Sequence, residues 1–305
     1  MSAARDPIEI IHSKSGAKCT IYPYGAHLTS YVTSSGEELL FLSRDAILDG
    51  SRPIRGGIPL CFPQFGQPDR SMPQHGFLRN NYWGEVRGSR VDCDEHAGIS
   101  MELSLVDAIN ARGGAWGDDT KYDVRCTYAV KIYANRFETS IVIDNLGEEE
   151  FRFQVLLHNY FLVRDGTALN GEVCNVIGLG GYNVHDKVSG ERRVLDAENF
   201  AVTVPKDRII DREYAPPSGV IDLDLSISAG PSRNLSLKAS GTVDGIPVPV
   251  SGVVWNPHRD NAKAMIDFGD DQYLDMICVE PGLLTDVPPL GGGKVASFTQ
   301  IVTCL

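Results

Sequence analysis

No pair of cysteines in this sequence is spaced CxxC, and none of the familiar metal or nucleotide loops (HExxH, EF-hand, P-loop) occurs in it. Metal and nucleotide chemistry are therefore not expected, and neither is a cofactor. Seven cysteines lie scattered from Cys19 to Cys304. An odd, unclustered set reads as reduced thiols in a reducing compartment, not as a disulfide frame. Long apolar runs are also missing. Nothing approaches the length that spans a bilayer, and MSAARDPIEI lacks the basic-then-apolar order of a secretory leader. The expectation is a cytoplasmic protein with no membrane partner. Positive charge is in short supply: 28 Lys and Arg stand against 40 Asp and Glu, a formal net charge of −12. Such a surface repels phosphate backbones, so nucleic acid is a poor partner. Any anionic substrate must be held by a local cluster of arginines.

Helical periodicity is scarce as well. Only Ser43–Leu48 and Arg259–Met265 could form short helical turns. What is abundant is period-2 alternation. Phe137, Thr139, Ile141 and Ile143 alternate with Glu138, Ser140, Val142 and Asp144, and Ile221, Leu223, Leu225 and Ile227 alternate with polar residues. Further runs fall at Ile8–Ile11, Cys19–Tyr22, Leu28–Val32, Leu39–Leu42, Ile99–Val106, Val124–Tyr133, Phe151–Leu157, Val202–Val204 and Val295–Val302. The sequence predicts an all-β protein, a large antiparallel β-sandwich. No linker or repeat divides it, so residues 1–305 are read as a single domain, and a monomer is expected. At 42% hydrophobic residues the chain can bury a sizeable core.

The stretch Arg52–Trp83 breaks the alternation. It is rich in Pro and Gly, and long irregular segments in compact domains are often functional. It contains RGGIPLCFPQFG (Arg55–Gly66) and QHGFLRN (Gln74–Asn80). Two other segments concentrate polar residues among apolar ones: LHNYF (Leu157–Phe161) and CVEPG (Cys278–Gly282). By alternation His158 shares a strand face with Arg152 and Gln154, opposite Phe153, Val155 and Leu157. Glu280 follows the apolar run Met276–Val279 and precedes Pro281-Gly282, which reads as a strand end.

These motifs, together with VWNP (Val254–Pro257) and in the same order, resemble those of the hexose-6-phosphate mutarotases (glucose-6-phosphate 1-epimerases), a branch of the galactose-mutarotase-like superfamily. The resemblance spans Arg55 to Gly282. It implies a supersandwich fold and a cofactor-independent interconversion of the α and β anomers of a hexose 6-phosphate. That reaction needs a base on the anomeric hydroxyl and an acid on the ring oxygen, with the roles reversed for closure. The resemblance assigns Glu280 as the base and His158 as the acid, and a bell-shaped pH profile with Glu280 on its acidic limb and His158 on its basic limb is then expected. Arg55 and Arg79 resemble a phosphate clamp, the work that planar guanidinium forks do best. Gln74 and Asp211 resemble further substrate contacts. His75 either contacts sugar hydroxyls or supports its loop, and Trp255 either offers a platform to the sugar or packs. Two positions depart from the pattern: Asn159, where many relatives carry a small hydroxyl residue, and His258, where an aromatic or apolar residue is expected. Both departures bear on substrate preference. Two rival readings stand beside this one: an aldose 1-epimerase for free sugars, and a non-catalytic sugar-phosphate-binding regulatory protein.

Overall fold

The computed structural model describes residues 6–106, 122–196 and 201–305. Strands β1 (Ile8–Ile11), β2 (Lys18–Tyr22) and β3 (His27–Val32) form a small sheet of their own. A ten-stranded sheet is built from β5 (Gly84–Glu85), β6 (Val91–Asp92), β7 (Ala97–Ser104), β8 (Val124–Ile132), β9 (Arg136–Asn145), β12 (Cys174–Ile177), β16 (Leu223–Ala229), β17 (Asn234–Val243), β18 (Ile246–Pro247) and β21 (Val295–Cys304). Its long strands run in the order β12-β16-β17-β21-β9-β8-β7-β5. An eight-stranded sheet comprises β4 (Leu60–Cys61), β10 (Val155–Leu157), β11 (Tyr160–Leu162), β13 (Asn183–Asp186), β14 (Arg192–Val194), β15 (Ile210–Ala215), β19 (Ser251–Asn256) and β20 (Met276–Leu283). Its order is β14-β13-β15-β19-β20-β10-β4, with β11 also on β20. The pairings within these sheets are antiparallel, so the all-β sandwich expected from alternation is the observed fold.

The two large sheets pack face to face because each strand turns its apolar alternate residues inward. Phe137, Ile141 and Ile143 of β9 and Phe298 and Val302 of β21 meet Ile277, Val279 and Leu283 of β20 and Val155 and Leu157 of β10 in one buried cluster. Burying each such side chain contributes roughly 1.5–3 kcal/mol.

The eight-stranded sheet is buried on its other face too. There Met276, Cys278 and Tyr160 pack against Phe41, Phe268 and Tyr273, while Leu156 and Val253 pack against Cys61 and Leu284. Phe268 and Tyr273 follow the helix His258–Ala264, Cys61 belongs to the irregular Pro/Gly-rich segment, and Phe41 and Leu284 come from the chain before that segment and just after β20. The helix falls where Arg259–Met265 predicted it. Ser43–Leu48 is not helical; Arg44 and Asp45 only turn. Leu39–Leu42 and Val202–Val204 make isolated bridges rather than strands. Among the described residues no helix is long and apolar enough to cross a membrane.

Glycine is required where the irregular segment threads between its neighbours. Gly56 has φ +118°, and a Cβ there would lie 2.4 Å from the Phe41 carbonyl oxygen. Gly76 has φ +74°, and a Cβ would lie 1.9 Å from the Phe62 carbonyl oxygen. These two positions set Arg55 and His75, respectively, beside the sheet.

Candidate active site

Strand register builds the site. β20 pairs with β10 through Leu156–Gly282 and with β11 through Tyr160–Cys278. The ladder lapses from Leu157 to Asn159 and resumes in the same register, which sets His158 opposite Glu280 on one face of the sheet. The same face carries Trp255 opposite Cys278, and Asp211 opposite Trp255. Residues far apart in sequence thus form two adjacent rows across the sheet, one holding Glu280 and the other Cys278.

His158 Nδ1 lies 3.5 Å from Glu280 Oε1, and the Glu280 side chain is only 1% exposed. Neither oxygen of Glu280 nor Nδ1 of His158 has a hydrogen-bond partner among the described residues. Unsatisfied buried polar groups are expensive, and they collect at sites that await a ligand. Burial raises the Glu280 carboxyl well above the usual carboxylate range; Asp211 adds to the rise while Lys187 and Arg79 oppose it. Burial likewise lowers the His158 imidazole well below its ordinary value, helped by Arg79 and Arg55.

The pair sits at the floor of a cavity of about 380 Å³. Tyr160 stacks on the His158 ring, centroids 4.9 Å apart, and Trp255 stands edge-on to both. One wall holds Arg55. Its Nε and Nη2 donate to the Asp267 carboxylate at 3.3 and 3.4 Å, and its Nη1 donates to the Tyr160 hydroxyl at 3.3 Å. Burial works against that charge, but Tyr160 and Asp267 outweigh it and raise its pKa. Lys187 closes the opposite side. Its ammonium rests 4.1 Å from the Phe65 ring centroid and 3.5 Å from Glu213 Oε2. Gln154 ties the Phe65 loop down: it accepts from the Phe65 N–H at 3.0 Å and donates to the Leu284 carbonyl at 3.0 Å.

The comparison that decides the family is a family model described as aldose 1-epimerase, which matches residues 7–285. The chain belongs to the aldose 1-epimerase family. It is 31% identical over 268 residues to a protein of Cenchrus ciliaris named "Putative glucose-6-phosphate 1-epimerase", covering 86% of this chain and 73% of that one. A protein of the same name from Escherichia coli is 28% identical over 284 residues, covering 91% and 84%. A crystal structure described as a putative mutarotase from Salmonella typhimurium superposes with a TM-score of 0.77 at 25% identity, covering 98% of this chain and 90% of that one.

In this aldose 1-epimerase fold most of the residues singled out from sequence converge on the cavity: Arg55, Gln74, His75, His158, Asp211 and Glu280 all line it. Arg79 does not. It lies in a single 3₁₀ turn behind the cavity, donates from Nη2 to the Gln74 carbonyl at 2.9 Å, and has a buried Nε without a partner. His75 has φ +64°, and its Nδ1 accepts from the Gly66 N–H at 3.2 Å. Its ring therefore fixes its own loop while standing edge-on to His158 at 5.7 Å. Trp255 both packs and lines the cavity.

Three sequence readings need correction. Glu280 is mid-strand, not at a strand end, since β20 continues through Pro281 and Gly282. Asn159 does not reach the cavity. It points into the sandwich, where its amide donates to the Val279 carbonyl at 3.0 Å and exchanges hydrogen bonds of 2.8 and 2.9 Å with the Gln300 amide. His258 lies outside the cavity's lining, with its ring nitrogen 3.2 Å from the Lys206 carbonyl. Sequence reasoning also missed Tyr160 and Lys187. Tyr160 was accessible by alternation from His158. Lys187 owes its position to β13 lying beside β15, for which the sequence carries no local signal.

Proposed function

We propose that this aldose 1-epimerase family member interconverts the α and β anomers of hexose 6-phosphates, glucose 6-phosphate foremost, without a cofactor. The observation that carries the reading is the His158–Glu280 pair, buried, 3.5 Å apart and unpartnered, at the floor of a cavity walled by Arg55. Ring opening moves one proton off the anomeric hydroxyl and one onto the ring oxygen, and closure reverses both. Glu280 takes the first and His158 supplies the second. Asp211 and Gln74 accept and donate hydrogen bonds to ring hydroxyls, Trp255 covers an apolar face of the sugar, and Arg55 with Arg79 behind it holds the phosphate.

Continuity of the buried core from Ile10 to Val302 supports reading the chain as one domain. Seven free cysteines support a reducing, cytoplasmic setting.

The test is anomer exchange followed by NMR on glucose 6-phosphate and on glucose. His158→Ala and Glu280→Gln should each lose roughly 10²- to 10⁴-fold in turnover, the usual contribution of an acid or base. Near wild-type exchange in either variant would remove that residue from the mechanism. Equal wild-type efficiency on the two sugars would replace the phosphate reading with a free-sugar epimerase.

A further inference from the structure

The proposed mechanism leaves a buried nucleophile beside the His158–Glu280 pair unused. Cys278 lies on the same face of β20 as Glu280, two residues away, and is fully buried. The His158 ring nitrogen, the Cys278 sulfur and a Glu280 oxygen all lie within 4.8 Å of one another. We propose that these three side chains form a binding site for a thiophilic divalent cation of the zinc class, and that its occupation excludes the sugar. The second half of that statement rests on the proposed epimerase reading; the first does not.

The donor set matches what such an ion selects. Zinc takes thiolate sulfur at about 2.3 Å, imidazole nitrogen at about 2.0–2.1 Å and carboxylate oxygen at about 2.0–2.2 Å, in a tetrahedron. Two ligands on one tetrahedral ion then stand roughly 3.4–3.6 Å apart. His158 Nδ1 and Glu280 Oε1 are already 3.5 Å apart. Three protein ligands leave a fourth position on the ion, the open arrangement of accessible zinc sites, and two of the three, His158 and Glu280, line the cavity. The sulfur makes the set selective, because magnesium and calcium prefer oxygen alone.

The site is also short of partners. Both Glu280 oxygens and His158 Nδ1 are buried without hydrogen bonds among the described residues. A cation bound there would satisfy all three groups at once. The surrounding charge permits it. Arg55 is paired with Asp267 and Lys187 with Glu213, and Asp211 lies close enough to act on Glu280, which leaves Arg79 as the cation that opposes a metal there. The proton balance is explicit. The thiol and the carboxyl each give up a proton to solvent and bind as anions, while His158 offers the Nδ1 lone pair. Two protons leave for each ion bound, and the metal then occupies both groups that the anomerisation needs.

The experiment titrates the metal-free protein with Co²⁺, then Zn²⁺, under a non-chelating reductant. One Co²⁺ should bind per chain with a near-ultraviolet thiolate charge-transfer band, Zn²⁺ should displace it, and saturating glucose 6-phosphate should suppress it. Zn²⁺ should inhibit anomer exchange in competition with the sugar. Cys278→Ser should retain exchange, lose the charge-transfer band and bind Zn²⁺ weaker by about tenfold or more, as loss of a direct ligand requires. Cys278→Ala serves if the serine variant does not accumulate as folded protein. The site is overturned if the wild type shows no charge-transfer band, if the band persists in either variant, or if Zn²⁺ inhibits wild type and variant equally. A metal-free wild type that exchanges no anomers would instead sink the functional reading while the spectroscopic result stands.

Discussion

At the scale of single residues, the pair His158–Glu280 is governed by burial. Because burial raises Glu280 and lowers His158, the neutral pair is favoured over the ion pair. Both forms carry one proton between them, and the ion pair in which Glu280 can take a proton and His158 give one is the minor tautomer of that single macroscopic state, which can be lost in only two ways. Acid adds a second proton, and His158 takes it, below its ordinary 6.5; base removes the last one, and Glu280 gives it up, above its ordinary 4.5. The profile of kcat/KM should therefore remain bell-shaped, with the limbs assigned opposite to the sequence expectation. Imidazole NMR at pH 7 should show a neutral His158 in the free protein, and an imidazolium there would refute the reassignment. The same burial predicts stability. A carboxyl raised on folding contributes stability that is complete below its unfolded value and is lost as pH rises toward its folded one. His158 is common to the wild type and a Glu280 variant, so the gap between the two reports the carboxyl. Above the unfolded value of 4.5, Glu280→Gln should gain on the wild type by roughly 1.4 kcal/mol per pH unit for as long as the folded carboxyl keeps its proton. Thermal melts from about pH 5 upward should show the gap widening from the unfolded value of 4.5, and curves parallel throughout would mean that Glu280 is not held protonated by the fold.

At the scale of strands, alternation was legible wherever a strand has one buried face and one outward face. The range Ile8–Ile11 was readable residue for residue, and β9 and β21 within one or two residues at each end. It failed where both faces are buried. β20 is buried at all eight positions, so nothing alternates along it, and Pro281-Gly282 looks like punctuation. The strand continues because Pro281 faces Gly252 on one side and, by register, Leu157 on the other, whose carbonyl accepts instead from the Asn159 N–H at 3.0 Å, so the missing N–H leaves no partner unpaired. Asn159 was misread for a related reason. A polar residue beside a catalytic candidate suggests the site, but alternation sends it to the opposite face. Asn159→Ala would leave the Gln300 amide buried without its partner and should cost about 2–3 kcal/mol. It should leave the ratio of kcat/KM for glucose 6-phosphate and glucose unchanged. Denaturant melts and paired kinetics check both halves, and a shifted ratio would restore Asn159 to substrate selection.

At the scale of the whole molecule, a formal charge of −12 gives a dianionic substrate no general attraction. Selectivity for a sugar phosphate must then come from the arginines that the irregular segment delivers, and the motif made those legible while hiding how they are paired. Asp267, far along the chain, engages two nitrogens of Arg55 and is itself buried. Replacing Arg55 alone would strand that carboxylate, at a cost of about 3–5 kcal/mol, and would confuse unfolding with lost recognition. The informative protein is Arg55→Met with Asp267→Asn, with and without Arg79→Met. If Arg55 gives the phosphate a charge-assisted bond worth roughly 1.5–3 kcal/mol, the variant without the Arg79 change should already lose about tenfold to a hundredfold in kcat/KM for glucose 6-phosphate. Glucose should change little, because neither arginine moves a proton. The variant without the Arg79 change isolates the residue that lines the cavity, and the further loss on adding it measures a guanidinium acting from behind His75 and Gln74. A preference for the phosphate that survives the triple substitution would move the anion site elsewhere, with Lys187, the remaining cation of the cavity lining, as the next residue to replace.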